Sequence, residues 1–158
     1  VKAVFDTSPI SYLVLIAEIE LLPALYNRRF IPTAVAAELG HPKSPTRLRS
    51  WIASPPAWLE IHPVRPRLSR DLDRLQMGER EAILLAEELG VDQVVLDDME
   101  ARETAVRRGL GVTGLIGILD RAASAELIDL PGVVERLRET SFHIAPWLLK
   151  NLLDRHAR

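Results

Sequence analysis

The chain has 158 residues, 47% of them hydrophobic, 27% charged and only 5% aromatic, with a net charge of −2. That balance suits a globular protein with an aliphatic core and excludes disordered and fibrous classes. The absence of cysteine excludes a disulfide framework, a thiolate nucleophile and a zinc ribbon, and the near-neutral charge gives no global basic field for nucleic acid.

In chain order, "VKAVF" (Val1 to Phe5) is β-branched and apolar and reads as a strand. Asp6-Thr7-Ser8-Pro9 stops it, with Ser8 as N-cap and Pro9 at the first helical position. The helix from Pro9 to about Ala17 contains "ISYLVLIA", which is too short to cross a bilayer and lacks a signal-peptide cleavage pattern, so cytoplasmic residence is expected. A short helix follows near Leu21 to Tyr26, then "RRFI" (Arg28 to Ile31) as a strand, and a helix opened by Pro32 and Thr33 and closed by Gly40. Six of the 11 prolines crowd between Gly40 and Gly78, which predicts irregular chain with short helices and a short strand in "WLEIH" (Trp58 to His62).

Order resumes at Gly78 with "EREAILLAEEL", whose Ala82, Leu85, Ala86 and Leu89 share one face, and Gly90 ends that helix. "VVLDD" (Val94 to Asp98) is a buried strand ending in acids. A helix from Met99 to Arg108, a glycine-rich link from Gly109 to Gly117, and helices near Leu115 to Ala123, Val133 to Glu139 and Pro146 to His156 complete the chain. Alternating helices and continuously apolar strands predict one α/β domain over residues 1–158, three layers with a central parallel sheet, its C-terminal helices running from about residue 131.

Charge is uneven. Residues 41–80 hold eight basic residues (Lys43, Arg47, Arg49, Arg65, Arg67, Arg70, Arg74, Arg80) against four acids, and residues 81–103 hold eight acids against Arg102 alone. Solvated helix faces account for much of such a pattern. In parallel sheets, however, ligands sit beyond the carboxyl ends of the strands, and here those ends are acidic. Asp6 and the pair Asp97 and Asp98 end two strands, Glu38 lies near a helix C-terminus where the dipole disfavours an anion, and Glu79 and Glu81 open another helix. Each acid has a structural explanation as a cap or turn residue, but like charges gathered at one rim raise one another's pKa unless a cation compensates. Oxygen ligands of this kind suit Mg²⁺ or Mn²⁺.

Other chemistries find less support. The histidines (His41, His62, His143, His156) have no metal-ligand spacing, the late glycines do not follow the first strand as a dinucleotide fingerprint requires, and no phosphate-cradling loop is present, so no organic cofactor is expected. Trp51, Trp58 and Trp147 are read as packing residues. An aspartate-nucleophile phosphohydrolase shares the two acidic strand ends, but Ser8 stands where its second acid belongs.

Four segments together resemble the PIN domain family, specifically its VapC-like subgroup. They are "VFDTSPISYL", "IPTAVAAELG" with Glu38, "GEREAILLAEELG" with Glu79 and Glu81, and "VVLDDMEARETAVRRGLGVTGLIGIL" with Asp97 and Asp98, spanning residues 1 to about 120. The resemblance implies a Mg²⁺- or Mn²⁺-dependent endoribonuclease, commonly the toxin beside a protein antitoxin, and a homodimer. Residue by residue it assigns catalysis to Asp6, Glu38, Glu81 and Asp97, with Glu79 the alternative to Glu81 and Asp98 adjacent to Asp97, and it makes all six candidate metal ligands. Many members carry an aspartate where this chain has Glu79 and Glu81. Val95 stands in place of the usual threonine, and "GLIG" in place of the usual Gly-Thr-x-Gly.

On this basis the arginines of residues 41–80 are expected to hold the phosphates of single-stranded or loop RNA. An antitoxin is expected to rest against Tyr12, Leu13 and Ile16. The non-enzymatic alternative is a PIN-like scaffold that acts by protein binding.

Overall fold

The computed structural model describes residues 1–157. The chain runs through β1 (Lys2–Phe5), α1 (Thr7–Leu15), α2 (Leu21–Leu25), β2 (Arg28–Pro32), α3 (Thr33–Leu39), α4 (Thr46–Ala53), β3 (Leu59–His62) and a 3₁₀ turn (Arg70–Leu72). It continues through α5 (Met77–Leu89), β4 (Gln93–Val95), α6 (Met99–Arg107), β5 (Val112–Thr113), α7 (Leu115–Ser124), α8 (Leu130–Arg138) and α9 (Pro146–Arg155). The five strands are all parallel, in the order β3-β2-β1-β4-β5. This is the three-layer α/β/α architecture that the apolar strands and intervening helices predict.

Strand side chains alternate between two faces. Ala3, Phe5, Ile31 and Val95 join the core under α1, α2, α7 and α8, whereas Val4, Phe30, Val94 and Leu96 pack under α5 and α6. Burying each of the larger of these side chains is worth about 1.5–3 kcal/mol. With helices on both faces, the central strand β1 has Ala3, Val4 and Phe5 at 0% exposure, which is why it reads as a continuous apolar run. Gly90 ends α5 in the left-handed region, at φ 61°.

Four local expectations are corrected. α1 begins at Thr7, with Asp6 rather than Ser8 at the N-cap position, because the Ser8 hydroxyl turns toward Asp97 instead of back onto its own helix. β4 ends at Val95, so Leu96 to Asp98 form the turn into α6 rather than a strand. The glycine-rich link contains a fifth strand, β5, whose pairing with β4 places the start of α7 beside Asp97. Leu13 and Ile16 belong to the core at 0% and 1% exposure, so of the three residues expected to face a partner only Tyr12 reaches the surface.

Candidate active site

The strand order reverses direction at β1. From it the chain builds outward through β2 and β3, then returns to add β4 and β5 on the other side. A crevice forms beyond the carboxyl ends of the two strands at such a switch point, and here they end at Asp6 and just before Asp97. The Asp6 N–H donates to the Val95 carbonyl at 3.1 Å, fixing the two ends together. The cleft above them has a volume of about 990 Å³ and is lined by Asp6, Glu38, Glu79, Asp97 and Asp98. The lining from α1, α7 and the segment before α9 includes the apolar Tyr12, Ile116, Phe142 and Ile144 together with Ser11, Ser141 and His143.

Asp6 lies deepest, 5% exposed, and its Oδ1 has no hydrogen-bond partner. Burial pushes its carboxyl up to about 7. The Thr7 N–H opposes the shift, and the charges of Glu79, Glu38 and Asp97 add to it. Asp97 is raised as well, chiefly by burial, against the pull of the Leu115 N–H, Arg102 and the Ser8 hydroxyl. Its Oδ1 accepts from Leu115 N at 2.9 Å, at the first residue of α7, and its Oδ2 lies 3.5 Å from Ser8 Oγ.

Glu38 resolves the unfavourable position noted in the sequence. Although it ends α3, its Oε1 accepts from Gly78 N at 3.0 Å in the first turn of α5, so the positive end of a second helix receives the anion. Its Oε2 accepts from the Thr7 hydroxyl. Gly78 is required for this approach, since a Cβ there would stand 2.7 Å from both Glu38 oxygens.

The structure separates the two glutamates of "GERE". Glu79 lines the cleft, accepts from Gln76 N at 3.0 Å, and has its pKa raised by burial and then by Asp98, Glu38 and Glu100. Glu81 does not line the cleft. Its Oε1 accepts from Ala34 N at 3.0 Å and lies 3.4 Å from Thr33 Oγ1, capping α3. Two positions along α5 turn a side chain by about 200°, so one glutamate meets the cleft while the other meets the neighbouring helix. Asp98 lines the cleft edge and is the N-cap of α6, accepting from Ala101 N at 3.1 Å.

None of the eight basic residues of positions 41–80 lines the cleft. Arg47 binds the carbonyls of Val14 and Leu15 at the end of α1, Arg49 and Arg80 bind nearby carbonyls, and Arg67 and Arg74 pair with Glu87 and Glu100. Trp51 and Trp58 pack against each other as expected, but Trp147 is 66% exposed. The site residues that the sequence pattern did not single out are Thr7, Gly78, Arg102 and Gly114. Each had a signal beside it, as neighbours of Asp6 and Glu79, as the lone cation of an acidic run, and as a member of the late glycine cluster.

A profile described as a PIN domain matches residues 2–158. The chain belongs to the PIN domain family. Comparison with curated proteins and with solved structures gave no match. PIN domains are a nuclease-type fold whose members typically use divalent metals, and the cleft's donor chemistry agrees: every candidate ligand is a hard oxygen. Asp6 Oδ1 is a buried, partnerless oxygen suited to a cation. Among the described residues no three acidic or histidine side chains already converge on one point, because Glu38 and Asp97 are drawn to the N-termini of α5 and α7. No helix among the described residues is long and apolar enough to cross a membrane.

Proposed function

We propose that the chain is a Mg²⁺- or Mn²⁺-dependent endoribonuclease acting through Asp6, Glu38, Glu79 and Asp97, with Asp98 at the edge of the site. The observation that carries this reading is Asp6: held near neutrality by burial and by three neighbouring carboxylates, and left with one oxygen unsatisfied at the switch point of the sheet. An uncompensated group of this kind opposes folding and is the expected mark of a site built for a cation.

Asp6 and Asp97 would hold the ion from the two strand ends, with Glu38 and Glu79 closing the side toward α5. A bound divalent ion supplies Lewis acidity and a water of lowered pKa. The chain's own part is to orient the carboxylates, through Thr7 and Gly78 for Glu38 and through Leu115 and Ser8 for Asp97. The reaction is hydrolysis, in which water adds to phosphorus and one P–O bond of the RNA backbone breaks. Single-stranded or loop RNA is the substrate class, because its phosphates and bases can enter a cleft. The role of toxin beside a protein antitoxin, a homodimeric state and cytoplasmic residence belong to the same reading and rest on the resemblance to the VapC-like subgroup.

A second reading, a metal-free scaffold acting by protein binding, is favoured by one observation: Glu38 and Asp97 are already satisfied by protein donors. Titration calorimetry with Mn²⁺ separates the two. The nuclease reading expects binding by the wild type that Asp6→Asn and Asp97→Asn each weaken at least tenfold, and heatless titration of the wild type would establish the scaffold instead.

A further inference from the structure

The proposed site has an electrostatic difficulty. Five carboxylates line a cleft that must admit a polyanion, and none of the eight basic residues expected to attract that polyanion lines it. Among the described residues lining the cleft, Arg102 is the only arginine or lysine. It projects from the first turn of α6, and its Nη1 donates to the Leu96 carbonyl at 2.9 Å in the turn that carries Asp97. Its Nε and Nη2 make no hydrogen bond with any described residue.

The space around this guanidinium is kept open by a glycine. A Cβ on Gly114 would stand 2.6 Å from Arg102 Nη1 and 2.7 Å from Asp97 Oδ1, so cation and carboxylate share the bare backbone surface at the start of α7. No ion pair of contact length joins them, and Asp97 spends its oxygens on Leu115 and Ser8. Arg102 is thus tethered by one nitrogen, half-buried at the edge of the acids, with a fork of donors left over.

From this geometry we infer that Arg102 is the substrate-phosphate receptor of the cleft, its free Nε and Nη2 donating to non-bridging oxygens of a backbone phosphate beside the bond that is cut. The inference rests on the ribonuclease reading and adds to it a residue that binds substrate rather than metal. A guanidinium suits the task because its planar fork matches two phosphate oxygens and its charge persists at every working pH. Tethering Nη1 to Leu96 removes much of the side-chain freedom that such a contact would otherwise cost.

The test compares Arg102→Gln and Arg102→Lys with the wild type. Cleavage of a fluorescein-labelled single-stranded oligoribonucleotide in Mn²⁺ gives KM and kcat. Fluorescence anisotropy with the same oligonucleotide, each substitution placed on an Asp6→Asn background, gives binding as a function of KCl. For Arg102→Gln we expect KM and Kd to rise roughly tenfold or more. The slope of log affinity against log salt should become shallower by about 0.7, as for loss of one single-strand phosphate contact, with Mn²⁺ affinity of the Arg102→Gln protein within twofold of wild type. Arg102→Lys should keep the wild-type slope while binding more weakly, because it retains the charge and loses the fork.

Unchanged KM, Kd and salt slope would overturn the inference. So would a fall in Mn²⁺ affinity or in thermal midpoint without a change in slope, which would make Arg102 a brace for Asp97. Failure of the nuclease reading would look different: the wild type would not cleave, while the anisotropy comparison would still decide whether Arg102 meets phosphate.

Discussion

Replacing Asp6 with asparagine should stabilise the metal-free protein, and by an amount that depends on pH. The carboxyl titrates at about 7 in the fold against an ordinary value of 3.8. Between those values the folded state binds a proton that the unfolded chain has released, so stability falls as pH rises. Below 3.8 both states are protonated and nothing is lost. Above about 7 the whole difference is felt, about 4 kcal/mol. The amide of the Asp6→Asn variant would keep an acceptor for the Thr7 N–H and would carry no charge toward Glu79, Glu38 or Asp97. We therefore expect urea unfolding in EDTA to show Asp6→Asn more stable than wild type by about 2–4 kcal/mol at pH 8, the range allowing for relaxation around the ionised group. The advantage should shrink through pH 6 and be absent near pH 4. For a protein of this size each kcal/mol is about 2–4 °C in thermal midpoint. A difference that does not change with pH, or a variant less stable at pH 8, would refute the idea that Asp6 is held at a cost to folding.

Exchanging the two glutamates of α5 separates site from scaffold. Glu79→Gln should weaken Mn²⁺ binding by calorimetry at least tenfold while leaving the urea midpoint nearly unchanged, whereas Glu81→Ala should lower stability by about 1 kcal/mol through loss of the α3 cap and leave Mn²⁺ affinity in place. Gly78→Ala tests the contact between α5 and Glu38. Gly78 is buried in the first turn of α5, and a Cβ there would displace the Glu38 carboxylate at the far end of its flexible side chain, so circular dichroism should report an intact fold while Mn²⁺ affinity falls; retained affinity would show that Glu38 needs no such seat.

The fold was legible because its inner strands β1, β2 and β4 are largely buried on both faces. Val4 and Phe30 face one helical layer, Phe5 and Ile31 the other, and so these strands read as apolar runs. β5 escaped notice because two residues between glycines carry no periodicity, and its place is set by pairing with β4 rather than by its own sequence. Asp6 and Asp97 could be placed at one rim from the parallel order alone. The identity of the glutamate at the cleft could not, since Glu79 and Glu81 lie within one turn and only the position of α3 decides which carboxylate finds the Ala34 N–H. The absence of the basic stretch from the cleft lining was hidden for a related reason: charge in a sequence does not reveal that Arg47 caps a helix or that Arg67 meets Glu87.

The central claim is that the acids at the β1–β4 switch point cut RNA with the help of a divalent ion. The most direct measurement is cleavage of a labelled single-stranded RNA by the wild type in Mn²⁺, by the wild type in EDTA, and by Asp97→Asn in Mn²⁺, each preparation first checked for an intact fold. The account predicts internal cleavage in the first case only, with Asp97→Asn slower by at least a hundredfold. Cleavage that persists in EDTA, or an Asp97→Asn protein as fast as the wild type, would contradict it.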